Sequence, residues 1–273
     1  MTAPNREPVQ GRIEREEFER GHLPDGARPA TPRPAATTVV ARPGPRERLE
    51  LLLLKRPLAS RFAAGAYVFP GGVVDEADGA AYWSGRLPPL RNLPAGHAAS
   101  ATAALRELFE ETGILLADGA DDVEMASLDE TRMALLADEI TFEDVARELR
   151  LDFRAAPMTY FARWITPKLL ARRYDALFFL VVLERRNIDI TITDEHDEVL
   201  WLPAARALER FRSGELPMLF PTWKTIEDLA AYGSVGEAVR ALEGREVHPV
   251  EPYLDVDGNR VRPRMPDESG SGR

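Results

Sequence analysis

The sequence predicts a single-domain α/β sandwich, and three observations carry the prediction. Strand-like segments rich in β-branched and aliphatic residues, at 37–41, 49–54, 159–165 and 175–183, stand before and after helix-like ones. The run from Ala176 to Leu183 is apolar without alternation, the pattern of a strand covered on both faces. A chain of 273 residues with 44% hydrophobic content can bury one core with additions, or at most two small ones.

Residues 1–34, rich in Pro, Arg and small residues, are expected to form a flexible tail, with a short charged helix over 12–20. The folded domain is expected to span 35–245. Its first strands, 37–41 and 49–54, are separated by a Pro/Gly/Arg turn, and a loop then leads to a strand at 66–69. The segment 79–98 reads as an irregular insert with one helical turn at its start. It is either a substrate-shaping lid or a surface elaboration. A helix ending at Gly113 follows, then an acidic loop and a helical addition over 127–151. Ser127 with Glu130, and Thr141 with Asp144, have capping-box spacing. Met133, Leu135, Leu136 and Ile140 are expected to face inward, as are Phe142, Val145, Leu149 and Leu151. Shorter strands are expected at 188–192 and 199–202, helices at 203–212, 221–232 and 234–242, and a loose tail at 246–273.

Composition removes several classes of function. A net charge of −10 argues against nucleic acid as the main partner. The absence of cysteine excludes disulfides, thiolate chemistry and zinc–sulfur sites. The longest apolar run is too short to span a bilayer, and the N-terminus lacks the apolar core of a signal peptide. A soluble cytoplasmic protein with no membrane partner is expected. The four histidines, His22, His97, His196 and His248, are scattered without ligand spacing and read as surface residues. No phosphate-binding loop of the G-x-x-x-x-G-K-[ST] type, no H-E-x-x-H and no G-x-S-x-G elbow is present.

The chemistry concentrates in Arg106-Glu107-Leu108-Phe109-Glu110-Glu111-Thr112-Gly113-Ile114. Residues three and four apart share a helix face, so Glu107, Glu110 and Glu111 crowd one surface, with Arg106 a turn before Glu110. Three like charges in one turn call for cationic compensation, and a hard divalent cation takes oxygen ligands. Alone, the stretch equally fits a solvated, Glu-rich helix end with an Arg–Glu pair.

Upstream lies Phe69-Pro70-Gly71-Gly72, and with it the stretch resembles the box of the Nudix hydrolase superfamily, G-x5-E-x7-R-E-U-x-E-E-x-G-U (U aliphatic). The helical half matches at Arg106, Glu107, Leu108, Glu110, Glu111, Gly113 and Ile114. The loop half matches at Gly72, but the loop glutamate's place holds Asp78, and the insert then interrupts the box. Lys55-Arg56, Trp164-Ile165-Thr166-Pro167, Arg173-Tyr174-Asp175 and Phe178-Phe179 are similar to the coenzyme A and acyl-coenzyme A diphosphatase branch, in particular its peroxisomal type 19-like subgroup.

The resemblance implies a Nudix-type α/β/α sandwich with a mixed central sheet and extra helices after the box helix. It implies hydrolysis of a diphosphate in a nucleoside diphosphate linked to another group, plausibly coenzyme A or an acyl-coenzyme A. Mg²⁺ or Mn²⁺ would be held by Glu107, Glu110, Glu111 and a carbonyl at Gly71 or Gly72. Glu110 or Glu107 would touch the attacking water, and Arg106 would fix the carboxylates. Arg56, Arg61, Lys168, Arg172 and Arg173 are candidates for substrate phosphates. Asp75, Asp78, Glu195 and Glu198 are the candidates to complete the acid set; a solvated turn is the alternative for Glu195 and Glu198. The partner expected is a small nucleotide-type molecule, and a homodimer is left open. The contrasting readings are a nucleotide-binding module or regulator without turnover, and a hydrolase of ADP-ribose- or NADH-type substrates.

Overall fold

The computed structural model describes residues 13–14, 22–24, 26–45, 48–60, 63–184, 189–257 and 260–266. The strands are β1 (Ile13–Glu14), β2 (Arg33–Pro43), β3 (Leu49–Lys55), β4 (Tyr67–Val68), β5 (Gly71–Val73), β6 (Met158–Ile165), β7 (Tyr174–Val182), β8 (Glu198–Pro203), β9 (Tyr253–Asp257) and β10 (Arg260–Arg264). Seven of them, β2 to β8, form one mixed sheet. At its centre β2 runs parallel to β7, while β6 pairs antiparallel with β7 and β8 with β3. The β2–β3 pairing covers only Ala41↔Leu51, Arg42↔Glu50 and Pro43↔Leu49. Beyond it the strands part, and β5 takes the free edge of β2, with Ala36 opposite Gly72 and Thr37 opposite Gly71. That split brings the Gly-Gly turn into the middle of the sheet.

Period-two alternation assigns each side chain a face. Val40, Leu52, Leu54, Leu177, Phe179 and Val181 join one core, and Val39, Leu51, Leu53, Phe178 and Leu180 join the other. The first core lies under α1 (Ala98–Thr112), α2 (Met125–Leu136) and α3 (Phe142–Glu148). The second lies under α4 (Ala204–Arg212), α5 (Phe220–Leu229) and α6 (Val235–Leu242). The architecture is the α/β/α sandwich expected. Among the described residues no helix is long and apolar enough to cross a membrane.

Several local expectations change. Part of the N-terminal stretch is tied down: the Leu23 amide donates to the Leu169 carbonyl, and Arg33 already begins β2. Ile13–Glu14 is strand rather than helix, and the rest of the charged segment 12–20 lies outside the described residues. The C-terminal stretch expected to be loose contains the β9–β10 pair, joined by β1 into a three-stranded sheet, with Val261 fully buried. Opposite charges face each other across the pair, as in Asp255↔Arg262. The segment 189–192 forms no strand; the Thr191 amide instead donates to the Thr112 carbonyl at the end of α1.

Helix α2 starts after Glu124, so Ser127 lies inside it and not at its cap. Its inward stripe is Leu128, Thr131, Arg132 and Leu135, leaving Met133 and Leu136 exposed. Thr141 and Asp144 do form the capping box of α3, and Ser234 caps α6. The insert is anchored: Trp83 is buried, stacked on Phe142 with centroids 5.4 Å apart and set edge-on to Phe153. Tyr82 lies beneath both Arg86 and Arg147.

Candidate active site

The first half of α1 is Ala-Ala-Ser-Ala-Thr-Ala-Ala, and its small side chains let the helix lie close against the sheet. Ala101, Ala103 and Ala104 are fully buried there, and the Thr38 hydroxyl on β2 donates to the Ala104 carbonyl at 2.8 Å. The second half carries the charge, and Gly113, left-handed at φ 74°, closes the helix. The docking sets the carboxylates against the Gly-Gly turn. The Gly71 amide donates to Glu111 Oε2 at 3.1 Å. Any side chain at Gly72 would occupy the space of the Glu107 carboxylate, and one at Gly71 would strike the Ala36 carbonyl.

Arg106 is the hub of this arrangement. It is buried and donates through Nε and Nη2 to the two oxygens of Asp78, each at 3.0 Å. Its Nη1 donates to Glu107 Oε1 and Glu110 Oε2, each at 2.9 Å, and its Nη2 also reaches the Val73 carbonyl. The fork is thus committed bidentately to Asp78, which is buried and also accepts the Asp75 amide at 2.8 Å. Asp78 holds the arginine that holds the glutamates. In place of the loop glutamate it serves as their anchor across the interrupted box.

Among the described residues one guanidinium donates to Asp78, Glu107 and Glu110, while Glu111 accepts from the Gly71 amide and feels Arg56 only electrostatically, so negative charge is in excess. Burial raises the pKa of Glu107 despite Arg106. Burial likewise lifts Glu110 to about 7, with the Glu107 charge adding to it. Glu111, largely buried, is pushed well above the usual carboxylate range, first by burial and then by Glu107. Burial works against the Arg106 charge, but the Asp78 hydrogen bonds and the surrounding carboxylates hold it firmly protonated.

The other candidates separate cleanly. Glu198 lies opposite Lys55 on β3, on the sheet face away from α1, and accepts from the Tyr67 hydroxyl at 2.9 Å. Burial and this partner raise Tyr67 to about 12. Arg173 is a buried clamp: it donates to the carbonyls of Thr166 and Ala30 and to Glu251. Lys168 and Arg172 are exposed on the β6–β7 turn, and among the described residues no hydrogen bond or ion pair ties them to the box. Arg61 lies outside the described residues. Arg56 stands close enough to Glu111 and His196 to act on both electrostatically. Of the acids considered for completing the set, Asp75 sits exposed 3.5 Å from Arg106, and exposed Glu195 acts on Glu111.

Two residues had no signal in local sequence. Arg132 on α2 is buried and donates to the Glu110 carbonyl through Nε and Nη2 and to the Thr191 carbonyl through Nη2. It thereby satisfies the end of the box helix and ties it to the segment before the acidic turn. His196, expected at the surface, is buried with its Nε2 3.9 Å from Glu111 Oε1. Burial and the Arg56 charge lower it to about 4.

Nudix hydrolases generally use divalent metal ions. Among the described residues no three acidic or histidine side chains already converge as a ready ligand set. The donors nevertheless suit a hard cation. They are carboxylate oxygens, desolvated, in excess of the positive charge beside them, and packed against a turn that admits no side chain.

The family model described as the NUDT19 Nudix domain matches residues 90–229, which begin inside the insert and take in all of α1. The acyl-coenzyme A diphosphatase NUDT19 of Gallus gallus is 28% identical over 81% of this chain and 75% of its own length. Its Homo sapiens counterpart is 27% identical over 82% of this chain and 72% of its own length. The crystal structure of a NUDIX hydrolase from Alicyclobacillus acidocaldarius is 29% identical and superposes with a TM-score of 0.66, covering 79% of this chain and 99% of that one. With half the chain matched and the box helix inside the match, the protein belongs to the NUDT19 Nudix domain family and is a Nudix hydrolase.

Proposed function

We propose that this enzyme cleaves the diphosphate of coenzyme A or an acyl-coenzyme A, using Mg²⁺ or Mn²⁺. The relatives named as acyl-coenzyme A diphosphatases support the substrate class. The observation that carries the chemistry is the set of buried, under-compensated carboxylates of α1 against the Gly71–Gly72 turn.

Glu107, Glu110 and Glu111 would hold the cation together with a carbonyl of the Gly-Gly turn. A bound divalent cation offsets diphosphate charge and sharpens a water nucleophile. The chain's own part is positioning. Asp78 fixes Arg106, and Arg106 fixes the Glu107 and Glu110 carboxylates, so they present their remaining oxygens without an ordering cost during the reaction. Glu110 or Glu107 would also touch the attacking water and take its proton. Arg56, which acts on Glu111 electrostatically, would receive a substrate phosphate.

The test is to incubate the protein with coenzyme A, acyl-coenzyme A, ADP-ribose, NADH and dinucleoside polyphosphates, with Mg²⁺, Mn²⁺ or EDTA, and to read the products by mass. Release of a nucleotide and a phosphorylated pantetheine product, abolished by EDTA and by Glu110→Gln, is expected. Full activity in EDTA, or preference for ADP-ribose or NADH, overturns the reading.

A further inference from the structure

His196 is the residue of the acidic turn whose burial has no ordinary structural explanation. Its neighbours Glu195 and Asp197 are exposed, whereas its own side chain is 0% exposed. The turn is held rigidly: the His196 amide donates to the Thr193 carbonyl at 3.0 Å, and the Asp197 amide donates to the Lys55 carbonyl at 2.8 Å. Yet neither ring nitrogen has a hydrogen-bond partner among the described residues. Burying unpaired polar groups costs about 1–3 kcal/mol each, and an apolar side chain here would avoid that cost.

The imidazole faces the one carboxylate of the box that Arg106 does not hold. Glu111 Oε2 accepts the Gly71 amide, and Glu111 Oε1 looks at His196 Nε2 across 3.9 Å. That is about 1 Å beyond hydrogen-bond reach. We propose that His196 is a positioning residue for Glu111, donating from Nε2 to Oε1 so that the carboxylate is held at both oxygens in the working enzyme. The division of labour is then complete. Arg106 orients Glu107 and Glu110 from within α1, while the acidic turn before β8 orients Glu111. Partners of this kind, standing behind a metal-binding group, change metal affinity or activity by about 10–100-fold when removed.

The inference rests on the metal-dependent reading above, and its experiment is chosen to be separable from it. His196→Leu removes the donor at similar volume, and His196→Gln keeps an N–H of comparable reach. Each full-length variant is measured for melting temperature, for Mn²⁺ binding by calorimetry, and for turnover of an acyl-coenzyme A. The expected His196→Leu protein melts no lower than the parent, binds Mn²⁺ about tenfold more weakly and loses about tenfold in kcat with little change in KM. His196→Gln recovers most of both losses, and adding His196→Leu to Glu111→Gln costs nothing further. A His196→Leu protein within about twofold of the parent in both Mn²⁺ binding and kcat overturns the proposal. So do losses that His196→Gln fails to recover and that track a lowered melting temperature, because those mark a purely structural residue. If the parent turns over no coenzyme A substrate, the substrate reading fails, and the Mn²⁺ titration still decides the role of His196.

Discussion

On the α1 side of the sheet, one buried arginine is shared among Asp78, Glu107 and Glu110, and a third glutamate accepts the Gly71 amide. On the α4–α6 side, charge stays at the rim in exposed pairs such as Arg206–Glu209, while Ala207, Leu208 and Phe211 fill the interior. The two layers cover the same sheet and bury cores of similar character. They differ in what their charge does. The exposed pairs are screened and contribute little, whereas the buried cluster is a strained arrangement that folding alone does not explain. Buried carboxylates in excess of the cation beside them are the feature that supports the reading of this cluster as the candidate site.

The sharpest way to break that contrast is to remove the hub. Arg106→Met leaves Asp78 buried beside the glutamates with no cation, and a loss of about 3–5 kcal/mol in urea unfolding is expected, with activity abolished. A variant as stable as the parent would mean that the cluster is not held by Arg106. Next comes Glu110→Gln, which relieves like-charge repulsion while removing a carboxylate oxygen that the proposed mechanism requires. Its kcat is expected to fall about 10³-fold, about 4 kcal/mol in barrier, although the metal-free protein melts no lower than the parent. Parallel losses of activity and melting temperature would instead assign Glu110 a structural role.

The pH response follows from the same burial. The folded protein holds the Glu110 proton to about 7, against an ordinary value of 4.5. The fold therefore binds that proton more tightly than the unfolded chain does. The associated stability is full below about 4.5 and is lost as pH rises through about 7, amounting to about 3 kcal/mol, with Glu107 and Glu111 acting in the same direction. The metal-free protein should thus melt higher near pH 5 than near pH 8, with added Mn²⁺ removing most of the difference. An unchanged melting temperature across that range would place the carboxylates in water. Smallest of all is Arg206→Ala on the opposite layer, expected to be indistinguishable from the parent in both unfolding and turnover.

Local pattern made much of this legible. Helical periodicity placed Glu107, Glu110 and Glu111 on one face, Gly113 marked the end of α1, and the Thr141–Asp144 spacing marked the start of α3. Where the reading slipped, a competing contact had the larger effect. Ser127 has the spacing of a cap, yet the helix begins after Glu124 and Ser127 lies inside its first turn. Glu198 looked like a site acid, but its register against Lys55 turns it to the other face of the sheet. The arginine at 173 looked like a phosphate ligand, and it is spent on Thr166, Ala30 and Glu251.

The sequence by itself determined the α/β layering and the acidic face of the box helix, because both depend on periodicities of two and of 3.6 residues within single elements. The tertiary structure alone decided how that face is supported. Asp78 reaches Arg106 across the insert, Arg132 reaches the end of α1 from the helical addition, and His196 faces Glu111 from the turn before β8. Each of these joins residues on separate elements, and which of many similar charged side chains meet is set by strand register and helix docking rather than by neighbours in the chain. A single arginine and a single histidine thereby acquire roles that their local sequence does not mark.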